Sequence, residues 1–230
     1  MLIALSANAA DTISKSTFIG DKPSGLGSLY NRQGKIFMPD SLSADSLKIT
    51  SYYKNQGWFD CTVGINYERK GSDIEITYQI NKGEYYALHF DYNSIAVDSL
   101  SNNLRYYISL YDNSPASASN LESLSESIID YYSDNGYPYC EVRFNDLRLD
   151  KPGMLSLSLD IQPGPQVIID KIIFDGIKNL EASFLLKYIG LSIPSVYSQK
   201  NIEQAENRLT KASFIKEQNG HQLQYFKRPD

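Results

Sequence analysis

Two ten-residue stretches of this chain follow one pattern. Tyr52-Tyr53-Lys54-Asn55-Gln56-Gly57-Trp58-Phe59-Asp60-Cys61 and Tyr131-Tyr132-Ser133-Asp134-Asn135-Gly136-Tyr137-Pro138-Tyr139-Cys140 both read Tyr-Tyr-x-x-x-Gly-aromatic-x-x-Cys, with an offset of 79 residues from Cys61 to Cys140. That period is long for a solenoid unit and suits a small domain with its own core. The segment C-terminal to each copy repeats as well. Ile74, Ile76, Tyr78 and Ile80 alternate with polar residues, as do Leu155, Leu157, Leu159 and Ile161, the pattern of a strand with one buried face. A polar break comes next, Asn81-Lys82-Gly83-Glu84 or Gln162-Pro163-Gly164-Pro165, and then a new apolar strand, Tyr86 to Phe90 or Val167 to Phe174. Each break reads as a domain junction.

The 230 residues therefore divide into three small units, 12–84, 85–164 and 165–230, the first divergent in its N-terminal half and the last short at its C-terminus. The middle unit sets the template. After the strand around His89 and Phe90, Leu100, Leu104, Tyr107, Ile108 and Tyr111 have the spacing of an amphipathic helix over Ser99 to Tyr111. A second helix begins near Ser119, with Ser119 and Glu122 as a capping box, buries Leu121, Leu124, Ile128 and Tyr132, and stops at Asn135-Gly136. A strand over Tyr137 to Asn145 and another over Met154 to Ile161 are joined through Asp150-Lys151-Pro152-Gly153. The order is β-α-α-β-β. The fold class is α+β: tandem small domains, each a three-stranded mixed sheet with two helices on one face and the other face wet.

The third unit repeats the plan, with a helix over Leu180 to Gly190, a second through Ile202, Ala205 and Leu209, and a turn at Asn219-Gly220. The first has a candidate strand at Thr17 to Ile19, a short helix at Leu26 to Arg32, and a second helix through Leu42, Ile49 and Tyr53.

A formal charge of −5 and a pI near 5.1, with no stripe of Lys and Arg, argue against nucleic acid as a partner. Cys61 and Cys140 hold equivalent places in two units and share strand parity with Val63, Ile65, Val142 and Phe144, so both read as buried free thiols. Two cysteines with His89 and His221 have no metal-ligand spacing, and no cofactor is implied. No Gly-x-Ser-x-Gly occurs, Gly25-Leu26-Gly27 lacks the rest of a phosphate loop, and Glu122 and Glu126 fall beside an apolar stripe on a solvated face. An enzyme is not expected. The pairs Tyr52-Tyr53, Tyr106-Tyr107 and Tyr131-Tyr132 could form a glycan or peptide platform, but packing with one ring inward and one at the rim accounts for them more simply. The N-terminal run ending in Ala7-Asn8-Ala9 resembles a signal-peptidase site without a basic region before it, which favours export.

Two-helix, three-strand units in tandem, helices ending Tyr-Tyr-x-x-x-Gly-aromatic at Gly57 and Gly136, and the linker segment Ile161 to Gly176 together resemble POTRA (polypeptide-transport-associated) domains of BamA/TamA-like outer-membrane protein assembly factors. The match takes in the middle and third units well and the first in part. The resemblance implies an arm at the periplasmic face of the bacterial outer membrane that receives unfolded outer-membrane clients, with envelope lipoproteins as further partners and a membrane barrel C-terminal to the segment. The few residues after Phe226 are too short for barrel strands, so either the barrel lies beyond this segment or the chain is a barrel-less relative. By the same analogy the third strand of each unit pairs with both others, leaving the second at the edge. An edge strand can accept an extended client through main-chain hydrogen bonds. Its candidate contact residues are Tyr139, Glu141, Arg143 and Asn145 in the middle unit and Asp60, Thr62 and Asn66 in the first. Pro138 and Arg143 could equally guard that edge against aggregation. A docking arm for fixed envelope partners, or an exported glycan-binding protein, are the alternatives.

Overall fold

Alternation in the third strand decides what sits at the centre of each sheet. In a computed structural model, which describes residues 11–21, 32–91, 102–176 and 180–212, Ile74, Ile76, Tyr78 and Ile80 of β3 (Asp73–Asn81) are all buried. β1 (Thr12–Gly20) runs parallel to β3 and β2 (Thr62–Lys70) antiparallel, in the order β1-β3-β2. A parallel pair needs a crossover, and α1 (Asp40–Lys54) lies on that crossover. It carries Asp40 in its first turn and Lys54 in its last, matching the helix dipole, and buries Ile49 and Tyr53 in one cluster with Ile13, Phe37, Cys61 and the β3 side chains. Asp45 is on the same buried stripe. Its carboxylate meets the Arg32 guanidinium at 2.5 Å and the Tyr78 hydroxyl at 3.0 Å, partners that a buried charge requires.

The middle run has the predicted order: β4 (Ala87–Phe90), α2 (Asn102–Tyr111), α3 (Ala118–Asp134), β5 (Glu141–Lys151) and β6 (Met154–Gln162). β6 is central, with sheet order β4-β6-β5 and β4 parallel to it. Leu104, Ile108, Leu124 and Ile128 of the helices and Leu157, Leu159 and Ile161 of β6 are buried, while Leu121 and Val142 are half-buried. In the third run β7 (Ile168–Ile169) pairs antiparallel with β8 (Ser195–Val196), beside α4 (Ala182–Ile189) and α5 (Gln199–Thr210). Ile202 and Ala205 are buried.

Several expectations shift. The second strands begin at Thr62 and Glu141, not at Trp58 and Tyr137, because the residues after each glycine close a turn in which the Cys61 and Cys140 N–H groups donate to Trp58 and Tyr137 C=O at 3.2 and 3.3 Å. The cap of α3 is Ser117, whose Oγ accepts from Asn120 N–H at 3.2 Å, so Ser119 lies inside the helix. The first strand runs Thr12–Gly20 and exceeds Thr17 to Ile19, while the strand placed over Val167 to Phe174 shortens to Ile168–Ile169. Ser156 and Ser158, on the face of β6 expected to be wet, are buried. The segments at Ala7 to Ala9, Gly25 to Gly27 and Asn219-Gly220, His221, and all of Leu26 to Arg32 except Arg32 lie outside the described residues.

By packing, the chain divides into two compact units. One comprises the described parts of Met1–Ser94 with Ile108–Leu124 and Phe144–Ser158; the other comprises those of Ile95–Tyr107, Ser125–Arg143 and Leu159–Asp230. Both polar breaks at Gly83 and Gly164 fall inside a unit, because each linker is held by hydrogen bonds to the elements on either side of it.

Candidate functional site

Those hydrogen bonds repeat residue for residue. α1 ends where Gly57, at φ +88°, lets the chain reverse, with Gly57 N–H donating to Lys54 C=O and Trp58 N–H to Tyr53 C=O, both at 3.1 Å. α3 ends the same way at Gly136, φ +98°, with Tyr137 N–H donating to Tyr132 C=O at 2.9 Å. Gly57 C=O then accepts from Tyr86 N–H at 2.8 Å, and Tyr86 C=O accepts from Ala116 N–H at 2.9 Å. At the second linker Gly136 C=O accepts from Val167 N–H at 2.8 Å and Val167 C=O from Tyr197 N–H at 3.0 Å. Each linker residue is thus tied backward to a helix end and forward to the residue before a helix cap, Ser117 or Ser198.

Side chains reinforce the first joint through aromatics and the second through a carboxylate. Lys82 Nζ lies 5.2 Å from the Trp58 ring centre and 5.5 Å from that of Tyr53, within cation–π range. Trp58 meets Tyr85 edge-on at 5.2 Å, and the Tyr86 hydroxyl donates to Asp60 at 2.9 Å, a bond that raises the Tyr86 pKa. At the second joint Asp134, in the last turn of α3, accepts from Lys200 N–H at 2.7 Å and from the Ser198 hydroxyl at 3.3 Å. An acid is unfavourable at its own helix C-terminus; here it serves the N-terminus of α5.

The joints separate the candidate contact residues into two groups. Glu141, Arg143 and Asn145 are exposed on β5, and Thr62 and Asn66 on β2, both strands lying outermost in their sheets. Asp60 and Tyr139 are in the turns before those strands, where Gly83 packs against Asp60 and Gly164 against the Tyr139 backbone. They belong to the joints. Pro138 sits in the same turn. Arg143 pairs with Glu141 at 2.6 Å along the edge, in solvent, where such a pair contributes about 0–1 kcal/mol. Sequence reasoning missed Asp134, Tyr86 and Val167; an acid closing a helix beside the Gly-aromatic motif was the available signal for the first.

Both thiols are buried and free. Burial pushes the Cys140 thiol up to about 11, helped by Glu141, and raises Cys61 despite Lys54 and Lys82 nearby. Of the tyrosine pairs, Tyr53 is buried beside a half-buried Tyr52 in an edge-on contact of 5.4 Å, and its hydroxyl donates to Asp21 C=O at 2.6 Å. Tyr107 and Tyr131 border a shallow open groove with Asn103, Ser127, Asp130, Asp134 and Asn135. Among the described residues no helix is long and apolar enough to cross a membrane.

Residues 12–83 match the family model described as "POTRA: Surface antigen variable number repeat", which places the match on the unit whose sequence was least regular. Over 198 residues the chain is 21% identical to the outer membrane protein assembly factor BamA of Nitratidesulfovibrio vulgaris, a stretch covering 83% of this chain and 25% of that protein. The chain thus spans about a quarter of that relative's length. Among solved structures it is similar to the crystal structure of Haemophilus influenzae BamA POTRA3-5, with a TM-score of 0.51 and 18% identity, covering 89% of this chain and 86% of that one. At that identity the likeness is one of fold. The resemblance to POTRA domains holds in the matched residues and in the architecture.

Proposed function

We propose that this chain is a tandem POTRA module at the periplasmic face of an outer membrane, where it binds and positions polypeptide during outer-membrane protein assembly. Its three units, 12–84, 85–164 and 165–230, act as one arm, and a client adds a strand to the exposed edge of the middle sheet. The observation that carries this reading is the sheet order β4-β6-β5, which leaves an eleven-residue strand outermost. Alternate N–H and C=O groups of such a strand face away from the sheet and accept an extended chain with little demand on its sequence. The BamA relative supports the client class, outer-membrane proteins in an unfolded state, and a barrel beyond this segment; envelope lipoproteins are further partners.

Proline removes an N–H that alanine keeps. Proline at whichever of Glu141–Asn145 turns its N–H away from β6 should abolish crosslinking to extended outer-membrane-type peptides, and alanine at the same residue should not. Equal binding by two variants that keep the native melt would end the strand-addition reading in favour of an arm that docks fixed envelope partners.

A further inference from the structure

The two exposed edges differ in what their side chains offer. Pro152-Gly153 alone separates β5 from β6, and a two-residue hairpin sets Lys151 opposite Met154, Leu149 opposite Ser156 and Leu147 opposite Ser158. These residues share the sheet face turned away from the buried Leu157 and Leu159. Leu147 and Leu149 are 63% and 57% exposed, although Ser156 and Ser158 between the strands are only 4% and 7% exposed. Arg148 and Asp150, exposed, take the opposite face. Just before this segment Asp146 has φ +52° and accepts from Ser158 Oγ at 2.9 Å, marking off 147–151 as a separate stretch of edge. On β2 the corresponding positions are polar. Asn66, Glu68 and Lys70 stand opposite Thr77, Glu75 and Asp73, and Tyr67 is engaged by Phe37 at 4.8 Å.

We infer that Leu147 and Leu149 make the distal half of β5 selective for an amphipathic strand: apolar at the two positions beside the leucines, acidic beside Arg148 and basic beside Asp150. The inference rests on the strand-addition reading and names its client. Residues directly opposite on neighbouring strands interact, favourably for apolar and opposite-charge pairs and unfavourably for like charges. A slip of one residue would turn the client's apolar set to the Arg148 face, so the same four side chains fix register. A pair of exposed leucines on an edge is otherwise an aggregation hazard.

The test titrates the full chain with two labelled peptides of equal length, one alternating Leu and Val with charged residues in the stated order, the other with Thr in place of the apolar residues. The native chain should bind the first about fivefold more tightly, the effect of two cross-strand pairs. Leu147→Thr with Leu149→Thr, which keeps strand propensity, should remove that preference and leave the Thr peptide unchanged. Arg148→Asp with Asp150→Arg should weaken binding of both peptides, since each then meets like charges at both positions, whereas Asn66→Ala should change nothing. If the leucine variant keeps its preference while proline, at whichever of Leu147–Lys151 turns its N–H away from β6, still blocks both peptides, strand addition survives and the selectivity is overturned. If proline blocks neither, strand addition itself fails and the selectivity with it.

Discussion

Gly57 and Gly136 combine a left-handed backbone with a lack of room. A Cβ at Gly57 would come within 2.6 Å of the Tyr86 carbonyl oxygen, and one at Gly136 within 2.6 Å of a Val196 methyl, distances at which something must shift. Gly57→Ala and Gly136→Ala should each cost more than the ~1 kcal/mol of the left-handed conformation alone, read as a fall in the urea midpoint. The carbonyl neighbour at Gly57 cannot rotate away as a methyl can, so its variant should be the worse. The thiols give a pH signature. Cys140 rises from 9.0 to about 11 and Tyr53 from 10.0 to about 12 on folding, both chiefly through burial. The folded state disfavours the charged forms, so their stabilisation is complete below pH 9 and lost as pH climbs through 9 to 12. Thermal midpoints should be level between pH 7 and 8.5 and fall above 9, with a smaller fall in Cys140→Ala. Non-reduced, alkylated protein should show two free thiols by mass; a Cys61–Cys140 bridge would break the alignment of the repeats.

Two helices, α3 and α5, combine a buried stripe with a serine cap. Ser117 and Ser198 accept from Asn120 and Asn201 N–H at 3.2 and 3.3 Å. Ser117→Ala or Ser198→Ala should each cost about 1 kcal/mol, and Leu124→Ala or Ile128→Ala, both fully buried, about 2–5 kcal/mol, measured by chemical denaturation. The stripes and the alternation of β3 and β6 were legible in the sequence because they obey the 3.6 and 2 periods of their elements. The edge position of the second strand followed from their order and the family analogy. What escaped was local geometry. A turn after Gly57 and Gly136 spends the aromatic residues on closing the helix, and this displaced both strand starts and moved Asp60 and Tyr139 from the edge to the joints. The cap is Ser117 although only Ser119 has a glutamate three residues on, because the helix starts a fraction of a turn earlier, at Ala118. The leucines of β5 were missed because the strand expected over Tyr137 to Asn145 stops short of them, whereas β5 runs on to Lys151.

At the scale of the whole chain, the linkers decide whether the repeats behave as separate beads. A residue such as Tyr86, with its N–H and C=O both bonded across the joint, and Lys82 held over two rings bind the first repeat to the start of the next. A segment covering 85–164 should still melt cooperatively, since Leu104, Ile108, Leu124, Ile128, Leu157 and Leu159 form its buried set. Joined to residues 12–84 it should melt higher. The gain should shrink with Lys82→Ala, which removes cation–π contacts of about 0.5–2 kcal/mol, and with Asp60→Ala, which removes the Tyr86 hydroxyl's bond to Asp60. Calorimetry on the single and joined segments distinguishes the two pictures. One transition for the joined segment, lowered by either substitution, means that the joint couples its neighbours. Two transitions at the temperatures of the isolated parts would mean that the linkers only tether, and a client strand held on β5 would then be positioned by the middle repeat alone.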